Sequence, residues 1–149
     1  MLLDLTNENL VRLGIEAVDW KDAIRQAAAP LLEAGKITAG YIDEIIHGVE
    51  EIGPYIVLTK HVALPHARPE AGALESAIGI ATLKTPVKFG NRDNDPVKYM
   101  FCLSARDNES HIQALGELTE LLSRPDFYAL LDKADTAKEV IQYIKNIKA

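Results

Sequence analysis

The hydrophobic positions of this chain change period from segment to segment, and the changes mark out alternating helices and strands. Trp20, Ala23, Ile24, Ala27, Ala28 and Leu31 recur at helical spacing, one buried stripe of an amphipathic helix. Asp19 supplies its N-cap, and Pro30 is expected to bend or shorten its end. A second helix carries Tyr41, Ile42, Ile45, Ile46, Val49 and Ile52, with Thr38 as cap and Gly53-Pro54 as stop. Val11–Ile15, Tyr55–Leu58, His61–Leu64 and Ile78–Leu83 read as strands, the middle two joined by a tight turn at Thr59-Lys60. Val97–Leu103 is almost continuously apolar, the pattern of a central strand buried on both faces. Asn91–Pro96 before it is a polar turn.

After that strand, Asp107-Asn108 caps a helix whose apolar positions are Ile112, Leu115, Leu118, Leu121 and Leu122. Pro125 starts a short helix. Thr136 and Glu139 form a capping box ahead of Val140, Ile141, Ile144 and Ile147. The expectation is an α/β fold: a mixed β-sheet flanked by helices on both faces, in a single domain. Strand order is not readable from these patterns.

Composition narrows the setting. The 149 residues suit one ordinary core, and 48% hydrophobic with 26% charged residues is globular usage. The net charge of -6 with scattered basic residues argues against nucleic acid and anionic membranes as partners. A single cysteine allows no internal disulfide, and neither a signal peptide nor a membrane span is read, so a cytoplasmic setting is expected. Cys102 lies within the apolar strand and reads as a small hydrophobe.

The candidate chemistry begins at Pro65-His66-Ala67-Arg68-Pro69, straight after Val62-Ala63-Leu64. Two prolines fix φ on either side of one imidazole and push the residues before them towards extended backbone. A histidine held this way suits nucleophilic or proton chemistry near neutral pH; the plainer reading is a turn that contains a histidine. His111 falls in the first turn of the helix capped at Asp107-Asn108, where unpaired N–H groups and the helix dipole favour an anion. Ligands of open α/β sheets sit beyond the carboxyl ends of strands, so His66 and His111 are expected at one rim. Arg68 offers a planar, permanently charged fork suited to a phosphoryl group, or stands as a solvated loop residue.

The other histidines read as less chemical. His47 is mid-helix on the polar side, and His61 alternates with the apolar strand residues as a structural or rim-lining group. A metal site of His61, His66 and His111 with Asp107 is a weak alternative, because the chain has no H-E-x-x-H and no cysteine pair. Neither G-x-S-x-G nor a phosphate-binding G-x-x-x-x-G-K-[ST] loop is present.

Gly53-Pro54-Tyr55 through Leu64-Pro65-His66-Ala67-Arg68-Pro69-Glu70-Ala71-Gly72 resembles the active-site segment of IIA components of the bacterial phosphoenolpyruvate-dependent sugar phosphotransferase system. The likeness is to the mannitol/fructose-type superfamily and, within it, the ascorbate-type branch. It continues through Thr82–Phe89, Asn94–Val97, the helix opening at His111 and the C-terminal helix. It implies one IIA domain over residues 1–149, a mixed sheet flanked by helices, and His66 as the phosphorylated residue. It further implies that His111 stabilises the phosphoryl group. An arginine that lines the site in the mannitol branch has no counterpart at His47-Gly48-Val49, which leaves Arg68 as the substitute.

The implied activity is a phosphotransferase relay that needs no metal, nucleotide or other cofactor. Phospho-HPr donates to His66, and a cysteine of a IIB component accepts, during uptake of ascorbate or a related sugar through a membrane IIC subunit. A homodimer is left open. The alternative is a regulatory phosphohistidine module of the same fold that controls a partner protein.

Overall fold

A computed structural model describes residues 2–147. Five strands, β1 (Val11–Ile15), β2 (Val57–Thr59), β3 (Val62–Ala63), β4 (Ala77–Val87) and β5 (Val97–Ser104), form one sheet in the order β1-β4-β5-β3-β2. Pairing is parallel for β1/β4 and β3/β5 and antiparallel for β4/β5 and β2/β3, so the sheet is mixed. The apolar run at β5 takes the middle position, as expected of a strand buried on both faces.

Side-chain alternation divides the sheet between two cores. Tyr99, Phe101 and Leu103 of β5, with Ile78 and Ile80 of β4, pack under α3 (Asn108–Leu122), α4 (Pro125–Lys133) and α5 (Ala137–Ile147). Met100 and Cys102 of β5, with Ala77, Ala81 and Leu83 of β4, pack under α1 (Trp20–Glu33) and α2 (Ala39–Ile52). The second face is built from small residues where α1 crosses it. A Cβ at Gly79 would lie 2.5 Å from Leu31 Cδ1, so a larger residue there would displace the buried leucine that packs α1 on the sheet. Helices therefore cover both faces of a single sheet, as the patterning predicts.

The helix caps form as expected. Asp19 accepts from Asp22 N–H, Thr38 from Tyr41 N–H and Asp107 from Ser110 N–H. Thr136 and Glu139 close their capping box from both sides. Pro30 does not shorten α1: the helix runs on to Glu33, and Ala34 N–H closes its last turn on the Pro30 carbonyl. Ile112, expected in the core, is 70% exposed. The buried face of α3 is Ala114, Leu118 and Leu121, and a residue two before Ala114 lies on the far side of the helix.

The β2–β3 hairpin is shifted from its expected place. Tyr55 and Val57 donate their N–H groups to Gly53 and Pro54 carbonyls, so the chain turns over 53–56 before it pairs. The connecting turn is Lys60-His61, with His61 in the left-handed region at φ 69°, rather than Thr59-Lys60. His61 is thus a turn residue and does not alternate along a strand. β4 extends past the expected Leu83 to Val87, where Val87 still pairs with Val97; exposed polar positions disguise its end.

Candidate active site

Because β3 and β5 run parallel, their carboxyl ends reach the same rim of the sheet. The chain leaving β3 becomes the His66 loop, and the chain leaving β5 enters α3 through Asp107. Val62 and Leu64 belong to the core beneath α3, and His66, of the same parity, meets the α3 residue His111. The two imidazoles stand 5.5 Å apart between centroids. The expected meeting of both histidines beside a helix N-terminus is therefore realised.

The loop is tied from three sides. Leu64 N–H donates to Ile56 O at 2.8 Å, and Leu103 N–H donates to Pro65 O at 2.9 Å. Beneath it, the buried Tyr41 hydroxyl of α2 donates to Leu103 O at 2.8 Å and accepts from Ala67 N–H at 3.1 Å. That phenol links the residue after His66 to the end of β5. Its burial pushes its pKa above the usual tyrosine range, so it stays a neutral donor.

His66 Nδ1 lies 2.6 Å from the Leu64 carbonyl oxygen. A carbonyl only accepts, so Nδ1 carries the proton and Nε2 keeps its lone pair. The ring is half-buried and stands between His111 and Tyr55, the latter edge-on with centroids 5.8 Å apart. A cavity of about 330 Å³ opens beside it, lined by Ile52, Tyr55, Arg68, Asn108 and His111 among others. Burial, and then the neighbouring charge of His66, hold the His111 pKa below the ordinary histidine value, so it is neutral at pH 7.

Arg68 is exposed and lines this cavity, and its guanidinium makes no hydrogen bond or ion pair among the described residues. The α3 cap engages Ser110 N–H through Asp107, and Asn108, the first residue of the helix, faces the same cavity. Cavity, cationic fork, neutral imidazole and helix N-terminus together make a place for an anion next to a nucleophilic nitrogen.

His61 sits at the opposite end of β3, with Nδ1 2.8 Å from Pro96 O, and does not join His66 and His111. No group of three or more histidine, cysteine, aspartate or glutamate residues among those described is arranged to hold a metal ion. His47 is exposed beside Glu44 and Glu51. Cys102 is fully buried under α1 and α2, and burial pushes its thiol up to about 12, so it is inert. Tyr41, Tyr55 and Asn108 escaped the sequence reading as site residues. The available signal was Tyr41 itself: a tyrosine on a fully apolar helix stripe must find a partner for its hydroxyl.

The geometry describes a mixed α/β domain with an anion-accepting cavity beside an oriented imidazole. Residues 4–147 match the family described as phosphoenolpyruvate-dependent sugar phosphotransferase system, EIIA 2, and the chain belongs to that family. It is 33% identical over 147 residues to the ascorbate-specific PTS system EIIA component of Salmonella typhimurium (strain LT2), covering 97% of this chain and 95% of that one. The solution structure of the mannitol-specific cryptic phosphotransferase enzyme IIA CmtB from Escherichia coli superimposes with a TM-score of 0.87 at 36% identity, over 98% of this chain and 99% of that chain. The Escherichia coli IIA mannitol domain, solved in complex with phosphorylated IIB, shares the fold at a TM-score of 0.81 and 24% identity, over 95% and 97% of the two chains. The protein is thus a IIA component of a sugar phosphotransferase system, similar to the ascorbate type. No helix among the described residues is long and apolar enough to cross a membrane.

Proposed function

We propose that His66 Nε2 accepts a phosphoryl group from phospho-HPr and passes it to a cysteine of a IIB partner, during uptake of ascorbate or a related sugar through a IIC membrane subunit. The observation that carries this reading is the Nδ1–H bond to Leu64 O, which leaves Nε2 as the free nucleophile on a ring that lines the cavity. The Nε2 lone pair attacks phosphorus while the donor's P–N bond breaks, and that electron pair returns to the donor nitrogen. In the second transfer a cysteine thiolate forms the S–P bond as the Nε2–P bond breaks. Both transition states are loose, so positioning and charge stabilisation dominate.

His111 donates one ring N–H to a phosphoryl oxygen, Arg68 contributes charge and a planar fork, and the α3 N-terminus adds backbone dipoles. Exposed Ile52 and Ile112 flank the cavity from α2 and α3 and suit an apolar contact ring for the protein partners, which meet the domain in the cytoplasm. Incubation with phosphoenolpyruvate, enzyme I and HPr is expected to add one acid-labile phosphoryl group. Phosphorus and nitrogen NMR should place it on Nε2 of His66. Attachment at Nδ1, or full labelling of His66→Ala, would overturn the reading.

A further inference from the structure

We infer that Tyr55 is a positioning residue for the His66 imidazole, and that Gly48 is the notch in α2 that admits it. The inference rests on the reading of His66 as phosphoryl acceptor. The hydrogen bond to Leu64 O fixes one edge of the His66 ring, but a single bond leaves the ring able to swing about its own side-chain torsions. Two neighbouring rings block that motion. His111 stands on one flank at 5.5 Å with a 48° tilt, and Tyr55 meets the ring edge-on at 5.8 Å and 83°. Edge-to-face contact at this separation is a favoured aromatic geometry.

Tyr55 also lines both of two adjoining cavities, together with Ile52, Ala67 and Arg68. One holds His66, Asn108 and His111; the other, about 420 Å³, is lined by Glu44, Gly48 and Glu70. Removing the Tyr55 ring takes away the neighbour that meets the imidazole edge-on and gives it room to turn away from α3.

What keeps Tyr55 there is the surface of α2. A Cβ built on Gly48 would lie 3.0 Å from the Tyr55 hydroxyl oxygen, tight enough to move the phenol by a few tenths of an ångström, and in ordinary contact with Cε1 at 3.5 Å. From the loop side, Gly53 at φ 114° and the Tyr55 N–H bond to Gly53 O at 2.8 Å turn the chain so that the ring comes down on that notch. The hydroxyl's hydrogen bond, to His66 O, is long at 3.5 Å. The ring rather than the hydroxyl does the positioning.

Three variants test this. Tyr55→Ala should lower the rate of phosphoryl transfer from phospho-HPr by about tenfold, the scale expected of a small misplacement of a reacting group. It should also blur the nitrogen NMR signature of His66 from one Nδ1–H tautomer to an average of two. Tyr55→Phe keeps the ring and should recover most of the rate and the single tautomer. Gly48→Ala displaces the phenol while replacing a mid-helix glycine, so it should slow transfer without lowering the melting midpoint, an outcome that loss of folding cannot imitate. Wild-type rate and an unaltered His66 signature in Tyr55→Ala would overturn the inference. The tautomer measurement needs no phosphodonor. A wild-type protein that is never phosphorylated on His66 therefore defeats the reading beneath, while the nitrogen spectrum of Tyr55→Ala still decides the positioning role.

Discussion

β3 carries a histidine just beyond each end, and the two differ in everything except their own hydrogen bonding. His66, past the carboxyl end, gives its Nδ1 proton to Leu64 O at 2.6 Å; His61, before the amino end, gives its own to Pro96 O at 2.8 Å. Each imidazole is held in the same tautomer with Nε2 free. Around His66 stand a second imidazole, a tyrosine ring, an unpaired arginine and the start of α3. Around His61 stands backbone: its N–H donates to Asn94 O, and its carbonyl accepts from Lys98 and Tyr99 N–H. His61 braces the start of β5 against the hairpin. An oriented imidazole is thus no guarantee of chemistry; what matters is the company its free nitrogen keeps. The parallel pairing of β3 and β5 decides that company, because a helix N-terminus follows the strands only at their carboxyl ends.

The comparison breaks most plainly under matched substitutions. His66→Gln should abolish phosphorylation by phospho-HPr, whereas His61→Gln should be phosphorylated at the wild-type rate. Loss of labelling in a folded His61→Gln, judged by circular dichroism, would mean that the two ends of β3 share one function.

A smaller effect should follow from cutting the tie beneath the active loop alone. Tyr41→Phe leaves Ala67 N–H and Leu103 O without their buried partner, a cost of about 1–3 kcal/mol in denaturant unfolding. Hydrogen exchange at Ala67 should quicken while the turn at His61 stays as protected as before. Equal loosening at both ends would show that Tyr41 supports the whole sheet rather than the His66 rim.

The smallest effect is a matter of pH. His111 is held below the ordinary histidine value of 6.5 by burial and by the nearby His66 charge. The unfolded chain therefore binds more protons at this site than the folded one, and stability rises with pH there. That contribution is complete above the unfolded value and is lost as pH falls through the folded one. Proton NMR should find the His111 midpoint below 6.5 in the unmodified protein. Phosphorylation of His66 should raise it, since a nearby dianion favours imidazolium. A midpoint indifferent to phosphorylation would separate His111 from the phosphoryl group.

Much of this protein was legible without coordinates, for local reasons. Helix caps at Asp19, Thr38 and Asp107 depend on side chains a few residues from the N–H groups they accept, and each forms as the sequence predicts. The central place of β5 follows from apolar residues on both of its faces. His66 stood out because two prolines bracket it, a constraint written in covalent geometry. The juxtaposition with His111 was legible only as an expectation, from two separate strand ends.

Other features belong to tertiary structure alone. The strand order β1-β4-β5-β3-β2 arises from long-range pairing that no local pattern encodes. The hairpin turn moved to Lys60-His61 because His61 braces Asn94, Lys98 and Tyr99, contacts distant in sequence. Ile112 looked like core and lies at the surface, since helical periodicity fixes which residues share a face but not which face meets the sheet. Tyr41 and Tyr55 gained their roles the same way: an aromatic residue shows its bulk in the sequence, while the partner of its hydroxyl or the neighbour of its ring exists only once α2, the His66 loop and β5 have come together.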